Sequence, residues 1–302
     1  MPSVSIIIIH YNSDEYLEAC LECIQEQTFT DFETIVIDNA SKNNLSELVI
    51  KFGSNYRYIR SNENLGSTKA NNLGISLTKS PFMLILNADV FLKPNFIEEC
   101  MKAFVAEDVA AVSGKLINNY HKNLIDTVGI QLTYEGTVDE MGQGERVENF
   151  SSDEYVFGVC CAAAMYRREI LSDERECLFD ENIFAFQEEF ELSLYLLSRN
   201  LKSYYCASAE AFHVRGGSTD NLSEFVKRQN IINSYYVYKK YLENCSLLLP
   251  KIFYLFRCIR FWDLLRKVNT HPIYLSPTAR KKLLASRSYS YIAYRCKRFF
   301  LN

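Results

Sequence analysis

Glycine, proline and tryptophan are scarce in this sequence, and long apolar segments are missing. With 11 Gly, 6 Pro and 1 Trp in 302 residues, the composition excludes a collagen-like chain and a low-complexity or linker-rich protein. No apolar stretch reaches the ~20 residues that cross a bilayer, because charged residues and Pro250 break the best candidate, residues 247–262. The first residues lack the basic start and the cleavage site of a signal peptide, so we expect a cytoplasmic protein.

The ten cysteines lack the spacing of a zinc finger or a disulfide framework. Cys20 and Cys23 form the only C-x-x-C pair, no second pair follows at zinc-finger distance, and both fall in a predicted helix. Since thiols stay reduced in the cytoplasm, we interpret this pair as buried thiols, with a redox or metal role as the alternative. Cys160 and Cys161 stand together in an apolar run, and we expect them to pack in the core.

The net charge of −4 hides a strong asymmetry between the two parts of the chain. Residues 1–222 carry a net charge of −17, whereas residues 223–302 carry +13 and many aromatic residues. A basic tail suits an anionic membrane surface, a nucleic acid or the acidic first part of the chain. We expect no nucleic-acid partner, because the acidic part would repel a phosphate backbone and no nucleic-acid-binding module is recognisable.

Strand and helix patterns alternate along the first hundred residues. Runs at residues 4–9, 34–37 and 82–86 are apolar and rich in Ile, Val and Leu, as in strands buried on both faces, and helical patterns separate them. This alternation predicts an α/β fold with a doubly wound, mostly parallel central sheet. Beyond residue 115 we expect short strands, a helix over 187–199 that ends at a left-handed Asn200, a short strand over 203–206, and a mostly helical chain from residue 221.

Ligands of such sheets bind beyond the carboxyl ends of the strands, and an Asn-Ala-Asp turn (87–89) follows the strand predicted over 82–86. Asp89 there can hold a divalent cation against a diphosphate, since Mg²⁺ and Mn²⁺ prefer oxygen ligands and bridge phosphates with few protein contacts. An ordinary turn is the alternative. His213 precedes Gly216 and Gly217, whose flexible backbone would let amides approach phosphate, although a single His is more often structural.

Three glutamates open the helix predicted over residues 187–199. Glu188, Glu189 and Glu191 suit the positive end of the helix dipole, which is the structural interpretation. A catalytic interpretation is equally open, because crowded acids raise one another's pKa and a raised pKa suits a general base at neutral pH. On a regular helix Glu188 and Glu191 are neighbours, while Glu189 points about 100° away.

In chain order, these segments resemble an inverting glycosyltransferase of family 2 with the GT-A nucleotide-sugar-binding fold, in the rhamnosyltransferase-like branch. The resemblance covers roughly residues 3–222. The motifs that carry it are the opening strand with its Tyr-Asn turn (4–13), the Asp-Asn-Ala-Ser turn (38–41), the Asn-x-Gly and Ala-Asn-Asn-x-Gly stretch (64–74), the Leu-Asn-Ala-Asp-Val strand end (86–90), the Ala-rich segment with Phe-Asp-Glu (162–181), the Glu-Glu-x-Glu-Leu helix start (188–192) and His-x-x-Gly-Gly-Ser (213–218).

The resemblance implies a role for each matching residue. Asp89 and His213 would hold Mn²⁺ or Mg²⁺, and Glu189 would be the general base that deprotonates the acceptor hydroxyl. Glu188 is a rival for that role, because the Asp of the family motif is Glu at position 189. Tyr195 also departs from the motif, which often has Arg there. The residues implied in binding the nucleotide-diphosphate sugar are Tyr11, Asn12, Asp38, Asn64, Gly66, Asn71 and Asn87.

The implied activity is transfer of a sugar from a nucleotide-diphosphate sugar to a hydroxyl of a glycan or a lipid-linked oligosaccharide, in the synthesis of a surface polysaccharide. A catalytically inactive homologue that acts as a binding or complex partner is the alternative. A nucleotidyltransferase is disfavoured, because no Gly-rich loop with basic residues follows the first strand.

We expect two parts, a GT-A catalytic domain over 1–222 and a basic, mostly helical extension over 223–302. Phe253, Phe256 and Trp262 recur near helical spacing beside Lys251 and Lys267. A basic amphipathic helix of this kind would place the protein peripherally at the inner face of the cell membrane. The alternatives are packing of the extension against the acidic domain or against a second protomer in a homodimer.

Overall fold

The computed structural model describes residues 1–172, 175–215, 224–244 and 248–261, together with 265–266, 268, 270, 272–273, 275–285 and 287–289. Several positions used above lie outside these residues. They are Gly216, Gly217 and Ser218 after His213, and Trp262 and Lys267 in the extension.

A mixed sheet of ten strands forms the centre of the molecule, in the order β10-β12-β6-β11-β4-β1-β2-β3, with β5 paired to β12 and β7 to β6. A smaller sheet has the order β13-β8-β9. The strands are β1 (Val4–His10), β2 (Phe32–Asp38), β3 (Tyr56–Arg60), β4 (Phe82–Asn87), β5 (Val90–Leu92), β6 (Val109–Asn118), β7 (Ile125–Thr127), β8 (Ile130–Thr133), β9 (Val138–Glu140), β10 (Glu154–Val156), β11 (Ala163–Arg167), β12 (Lys202–His213) and β13 (Arg287–Tyr289).

Helices cover the sheet and continue into the extension. The helices are α1 (Asp14–Gln25), α2 (Ser46–Ile50), α3 (Gly66–Ser76), α4 (Phe96–Lys102), α5 (Glu188–Ser198), α6 (Glu224–Val237), α7 (Leu248–Arg260) and α8 (Pro277–Ala285), with a π-helical segment, Tyr238–Leu242, directly after α6. This confirms the predicted α/β fold, with a mostly parallel half, a smaller antiparallel part and C-terminal helices.

The apolar patterns explain why these elements form. Ile6, Ile7 and Ile8 of β1 are completely buried, because helices cover both faces of the parallel part of the sheet. Leu17 and Leu21 lie four residues apart on α1 and are buried against that sheet. Packing against the sheet selects these spacings of apolar residues. The strands predicted over 4–9, 34–37 and 82–86 are confirmed to within a few residues, and helices lie between them as predicted.

Strand registry brings the polar strand ends together. β1 pairs in parallel with β2 and with β4, so that His10 lies opposite Asp38 and Ile9 opposite Asn87. β12 pairs in parallel with β6 and in antiparallel fashion with β5, which places His213 opposite Val90, the residue after Asp89. The carboxyl ends of β1, β2, β4 and β12 therefore meet at one edge of the sheet.

β12 is longer than the strand predicted over 203–206. It extends to His213, because it pairs with β6 along most of its length, around a register shift between Cys206 and Glu210. His213 is consequently the last residue of a strand. Asn200 has a φ of 60°, so its predicted left-handed conformation after α5 is confirmed.

The extension packs into the same core as the preceding residues. Tyr241 and Tyr254 are almost completely buried, in one apolar cluster with Ile7 and Phe190. Tyr254 stacks on Tyr238, with ring centroids 4.2 Å apart. Among the described helices, none is both long and apolar enough to cross a membrane.

Candidate active site

A cavity of about 510 Å³ opens at the edge of the sheet where the polar strand ends meet. Nine of the eleven sequence-predicted site residues line it, and these nine come from five of the seven motif segments, all except 38–41 and 162–181. They are Tyr11, Asn64, Gly66, Asn71, Asn87, Asp89, Glu188, Glu189 and His213.

Asp38 and Asn12 do not line this cavity. Asp38 is fully buried, accepts hydrogen bonds from the Tyr58 hydroxyl (2.6 Å) and the Ser41 amide (2.7 Å), and lies 2.8 Å from an Arg60 nitrogen. Burial opposes ionisation, but these contacts outweigh it and lower the pKa of Asp38. Asn12, at a φ of 50°, binds the same turn. Both residues shape the turn at residues 38–41, and their direct contact with a nucleotide stays a prediction.

Asn64 and Gly66 fix the start of α3 at the cavity. Asn64 Oδ1 accepts hydrogen bonds from Asn39 Nδ2 (3.0 Å) and from the Gly66 amide (2.9 Å). Gly66 has a φ of 78°, and a Cβ atom there would overlap the carbonyl oxygen of Phe184. Only glycine therefore lets α3 approach the segment before α5. Asn71, one turn later, has a buried Oδ1 without a hydrogen-bond partner among the described residues.

Asp89 and His213 lie side by side, with Asp89 Oδ1 3.5 Å from His213 Nε2. The opposite nitrogen, Nδ1, lies 2.8 Å from Asp126 Oδ2. Burial alone would lower the pKa of His213, but Asp126 and Asp89 outweigh it and raise the pKa to about 9. A cation that takes Nε2 as a ligand must therefore displace its proton.

These two side chains fit a divalent cation. A carboxylate oxygen and an imidazole nitrogen suit Mn²⁺, and a cation that bridges phosphates needs few protein ligands. Within the described part of the chain, no group of three or more His, Cys, Asp or Glu side chains is arranged to hold a metal ion. A cation at Asp89 and His213 would thus take its remaining ligands from the diphosphate and from water.

Glu188 and Glu189 both line the cavity, at the start of α5. Glu188 is buried, accepts a hydrogen bond from Ser67 Oγ at 2.7 Å, and its Oε2 has no hydrogen-bond partner among the described residues. Burial raises the pKa of Glu188. Burial and the neighbouring Glu188 carboxylate raise the pKa of Glu189 to about 8. Glu189 thus has the property of a general base that works near neutral pH.

Glu191, three residues after Glu188 on α5, does not line the cavity. Its carboxylate is completely buried away from the cavity, 2.8 Å from Arg175 Nη2 and 2.7 Å from both Lys240 Nζ and the Tyr241 hydroxyl. The ion pairs of Glu191 support the structural interpretation for this glutamate, while Glu188 and Glu189 line the cavity.

Several cavity residues were not predicted as site residues. Arg215, Glu140, Phe184 and Phe225 line the cavity, and the last two rings stand edge to face, 6.0 Å apart. Arg215 occupies an unspecified position of the motif at 213–218, whereas Glu140, Phe184 and Phe225 lie in segments without a motif, so only the fold brings these three to the site. Cys160 and Cys161 pack against the core as expected, but they also line the cavity. The described cysteines, including Cys20 and Cys23, are free thiols.

The residues before α5 are held by α6. Phe186 and Gln187 have φ values of 68° and 71°, which is unusual for two consecutive residues other than glycine. Asn233 Nδ2 donates hydrogen bonds to the carbonyls of Ala185 (2.8 Å) and Phe186 (2.9 Å), and Gln187 Nε2 donates to Asn230 Oδ1 (2.9 Å). The extension therefore fixes the backbone that presents Glu188 and Glu189.

The family model described as Glycosyl transferase family 2 matches residues 5–174, more than half of the chain. The chain belongs to this family. Glycosyltransferase GlyG of Streptococcus pneumoniae is 30% identical over 118 residues, which cover 38% of this chain and 39% of GlyG. Chondroitin synthase of Pasteurella multocida is 33% identical over 113 residues, or 37% of this chain and 12% of that enzyme. The matches thus span less than half of these relatives.

The fold resembles that of solved glycosyltransferases. The crystal structure of GalNAc-T7 with UDP, GalNAc and Mn²⁺ superposes with a TM-score of 0.64 at 13% identity, over 81% of this chain and 49% of that chain. This likeness confirms the GT-A architecture predicted from the sequence.

We expect Glu189→Gln to stabilise the protein increasingly as the pH rises. Glu189 has a pKa of about 8 when folded, against 4.5 for an ordinary Glu. Between these values the unfolded chain loses the proton that the folded protein keeps, so wild-type stability falls as the pH rises through this window. The free energy of unfolding of Glu189→Gln should exceed that of the wild type by nearly zero at pH 4 and by on the order of 1–3 kcal/mol at pH 8.5.

Thermal unfolding of both proteins from pH 4 to 8.5 measures this gain. Glu18→Gln, at an exposed position of α1, is the control and should show no such trend. A Glu189→Gln effect of the same size at every pH would contradict the raised pKa.

Proposed function

We propose that the protein is an inverting, metal-dependent glycosyltransferase that moves a sugar from a nucleotide-diphosphate sugar to a hydroxyl of a glycan or lipid-linked oligosaccharide. The observation that carries this proposal is the joint lining of one cavity by Asp89, His213 and Glu189. Two residues that can hold a cation for the leaving diphosphate therefore line the same cavity as a carboxylate of raised pKa for the acceptor hydroxyl. Polymer synthesis by the related chondroitin synthase supports a polysaccharide product.

The donor would lie across the carboxyl edge of the sheet. Tyr11, Asn64 and Asn71 offer an aromatic ring and amides to the nucleotide and sugar, and Asn71 Oδ1 has no described partner that would compete with a donor hydroxyl. Asn87, exposed at the end of β4, would face the sugar or ribose. Asp89 and His213 would hold Mn²⁺ or Mg²⁺, which supplies positive charge to the departing diphosphate.

The acceptor would approach from the side of α5 and α6. Glu189 accepts the proton of the attacking hydroxyl, and the charge of the neighbouring Glu188 raises the pKa of Glu189. Attack on the anomeric carbon from the face opposite the diphosphate inverts its configuration. The aromatic rings of Phe184 and Phe225, both partly exposed, border this side and suit the apolar face of a sugar ring.

A nucleotide that binds this site should raise the melting temperature only in the presence of a divalent cation. The panel is UDP, dTDP, GDP and CDP, each with Mn²⁺, Mg²⁺ or EDTA. Binding to the folded state alone stabilises it by ~2.7 kcal/mol at a hundred times the dissociation constant. Asp89→Asn should remove the metal-dependent part of the rise in melting temperature, while Asp153→Asn, at an exposed carboxylate outside the cavity, should retain it. No shift with any nucleotide at millimolar concentration would favour an inactive homologue.

Glu189→Gln should cut turnover by ~10²–10⁴-fold and leave nucleotide binding intact, because it removes a base and no donor contact. Release of nucleoside diphosphate from the matching sugar nucleotide, with and without glycoside acceptors, measures turnover. Glu188→Gln is the matched comparison on the same helix turn and should have the smaller effect. Near-normal turnover of Glu189→Gln with loss in Glu188→Gln would assign the base to Glu188.

We also propose that α7 binds an anionic membrane surface at the inner face of the cell membrane. Ile252, Leu255 and Phe256 are exposed at i, i+3 and i+4 and so share one face of the helix, beside exposed Lys251. Phe253 instead packs against the core. An apolar face within a segment of net charge +13 suits an anionic lipid surface.

The triple variant Ile252→Ser, Leu255→Ser, Phe256→Ser should float with phosphatidylglycerol vesicles much less than the wild type. The matched control is Val105→Ser with Tyr120→Ser, at exposed apolar positions elsewhere. Equal flotation of the wild type, the triple variant and the control would contradict a membrane role for this face.

A further inference from the structure

His213 and Arg215 are the basic side chains of the described cavity lining, and no other basic residue belongs to it. The carboxylates of the same lining are Asp89, Glu140, Glu188 and Glu189. A nucleoside diphosphate is strongly anionic, so its binding in this acidic cavity depends on a cation and on these two basic side chains. A residue that orients both of them would control the diphosphate end of the site.

Asp126 contacts both basic residues and lies outside the cavity lining. It belongs to β7 and is 2% exposed. Its Oδ2 lies 2.8 Å from His213 Nδ1, and its Oδ1 lies 2.7 Å from Arg215 Nε. β7 pairs with β6, and β6 pairs with β12, the strand that ends at His213. The carboxylate is therefore held by the sheet itself.

The contact with Asp126 decides which nitrogen of His213 faces the cation. A carboxylate at Nδ1 keeps a proton on that nitrogen, so that in the neutral imidazole the lone pair is at Nε2. Nε2 is the nitrogen beside Asp89. If Nδ1 lost this partner, the ring could turn or change tautomer, and the imidazole would no longer be prepared as a ligand.

The same carboxylate holds the Arg215 guanidinium. Arg215 has a φ of 60°, and its Nη2 contacts both Asp126 (3.3 Å) and Glu140 (3.2 Å). These contacts with Asp126 and Glu140 are made by Nε and Nη2, and the side chain is 30% exposed and lines the cavity. A planar guanidinium fixed on one side and open on the other suits two phosphate oxygens.

We propose that Asp126 is a positioning residue for the diphosphate of the donor. It acts without touching the donor, by turning His213 Nε2 toward the cation and Arg215 toward the phosphates. This inference rests on the proposed function, because it assumes that a nucleotide-diphosphate sugar and a divalent cation occupy the cavity. A purely structural Asp126 would affect stability but neither cation affinity nor phosphate preference.

The test is an electron paramagnetic resonance titration of free Mn²⁺ against the full chain with UDP, together with the affinities for UDP and UMP. Asp126→Asn should weaken Mn²⁺ binding ~10–100-fold and reduce the preference for UDP over UMP. Arg215→Met should reduce the preference for UDP over UMP, with a smaller effect on the affinity for Mn²⁺. Glu210→Gln, the matched control on β12, removes a carboxylate paired with Lys93 and Lys115 outside the cavity and should change neither.

An Mn²⁺ affinity and a preference for UDP over UMP equal to those of the wild type, in a folded Asp126→Asn protein, would overturn the inference. If Asp126→Asn does not fold, an unchanged preference for UDP over UMP in Arg215→Met has the same meaning. If the wild type binds another nucleoside diphosphate of the panel instead of UDP, that nucleotide and its monophosphate replace UDP and UMP. If the wild type binds none of the four with Mn²⁺, the proposed function fails first, so the two failures are distinguishable.

Discussion

The buried charge of Glu191 is the constraint on which the arrangement of the site depends. A carboxylate without solvent contact is stable only with close partners of opposite charge and hydrogen-bond donors. Arg175 and Lys240 supply the charge, and Tyr241 adds a hydroxyl. Because Glu191 belongs to the first turn of α5, the same contacts fix the helix end that carries Glu188 and Glu189.

The three glutamates of this turn show how environment divides one residue type between two tasks. Around Glu191 burial is outweighed by Arg175 and Lys240, so the pKa of this carboxyl is lowered. Around Glu189 burial is reinforced by a like charge, so the pKa is raised. One carboxylate stabilises the fold by remaining charged, while its neighbour is prepared to take up a proton.

The sequence predicted the sheet and most of the cavity because both depend on local patterns. Apolar runs identify the parallel strands, and the parallel arrangement places the polar residues at the ends of β1 and β4, Tyr11, Asn87 and Asp89 among them, at one edge. Asp126 and Arg215 were missed because their contact depends on the pairing of β6 with β7 and β12, which no short pattern records. The partners of Glu191 were missed for a similar reason, since they lie 16 and 49 residues away in the chain.

The position of Lys240 in the chain has a consequence for synthesis on the ribosome. Family 2 motifs end well before it, yet α5 cannot bury Glu191 at low cost until Lys240 and Tyr241 have left the exit tunnel. The sheet edge that carries Asp89 is complete earlier in translation, once β12 has formed. The nascent chain therefore completes the sheet edge that carries Asp89 before the start of α5 is fixed, and a chain truncated before Lys240 would lack contacts that hold Glu188 and Glu189 in place.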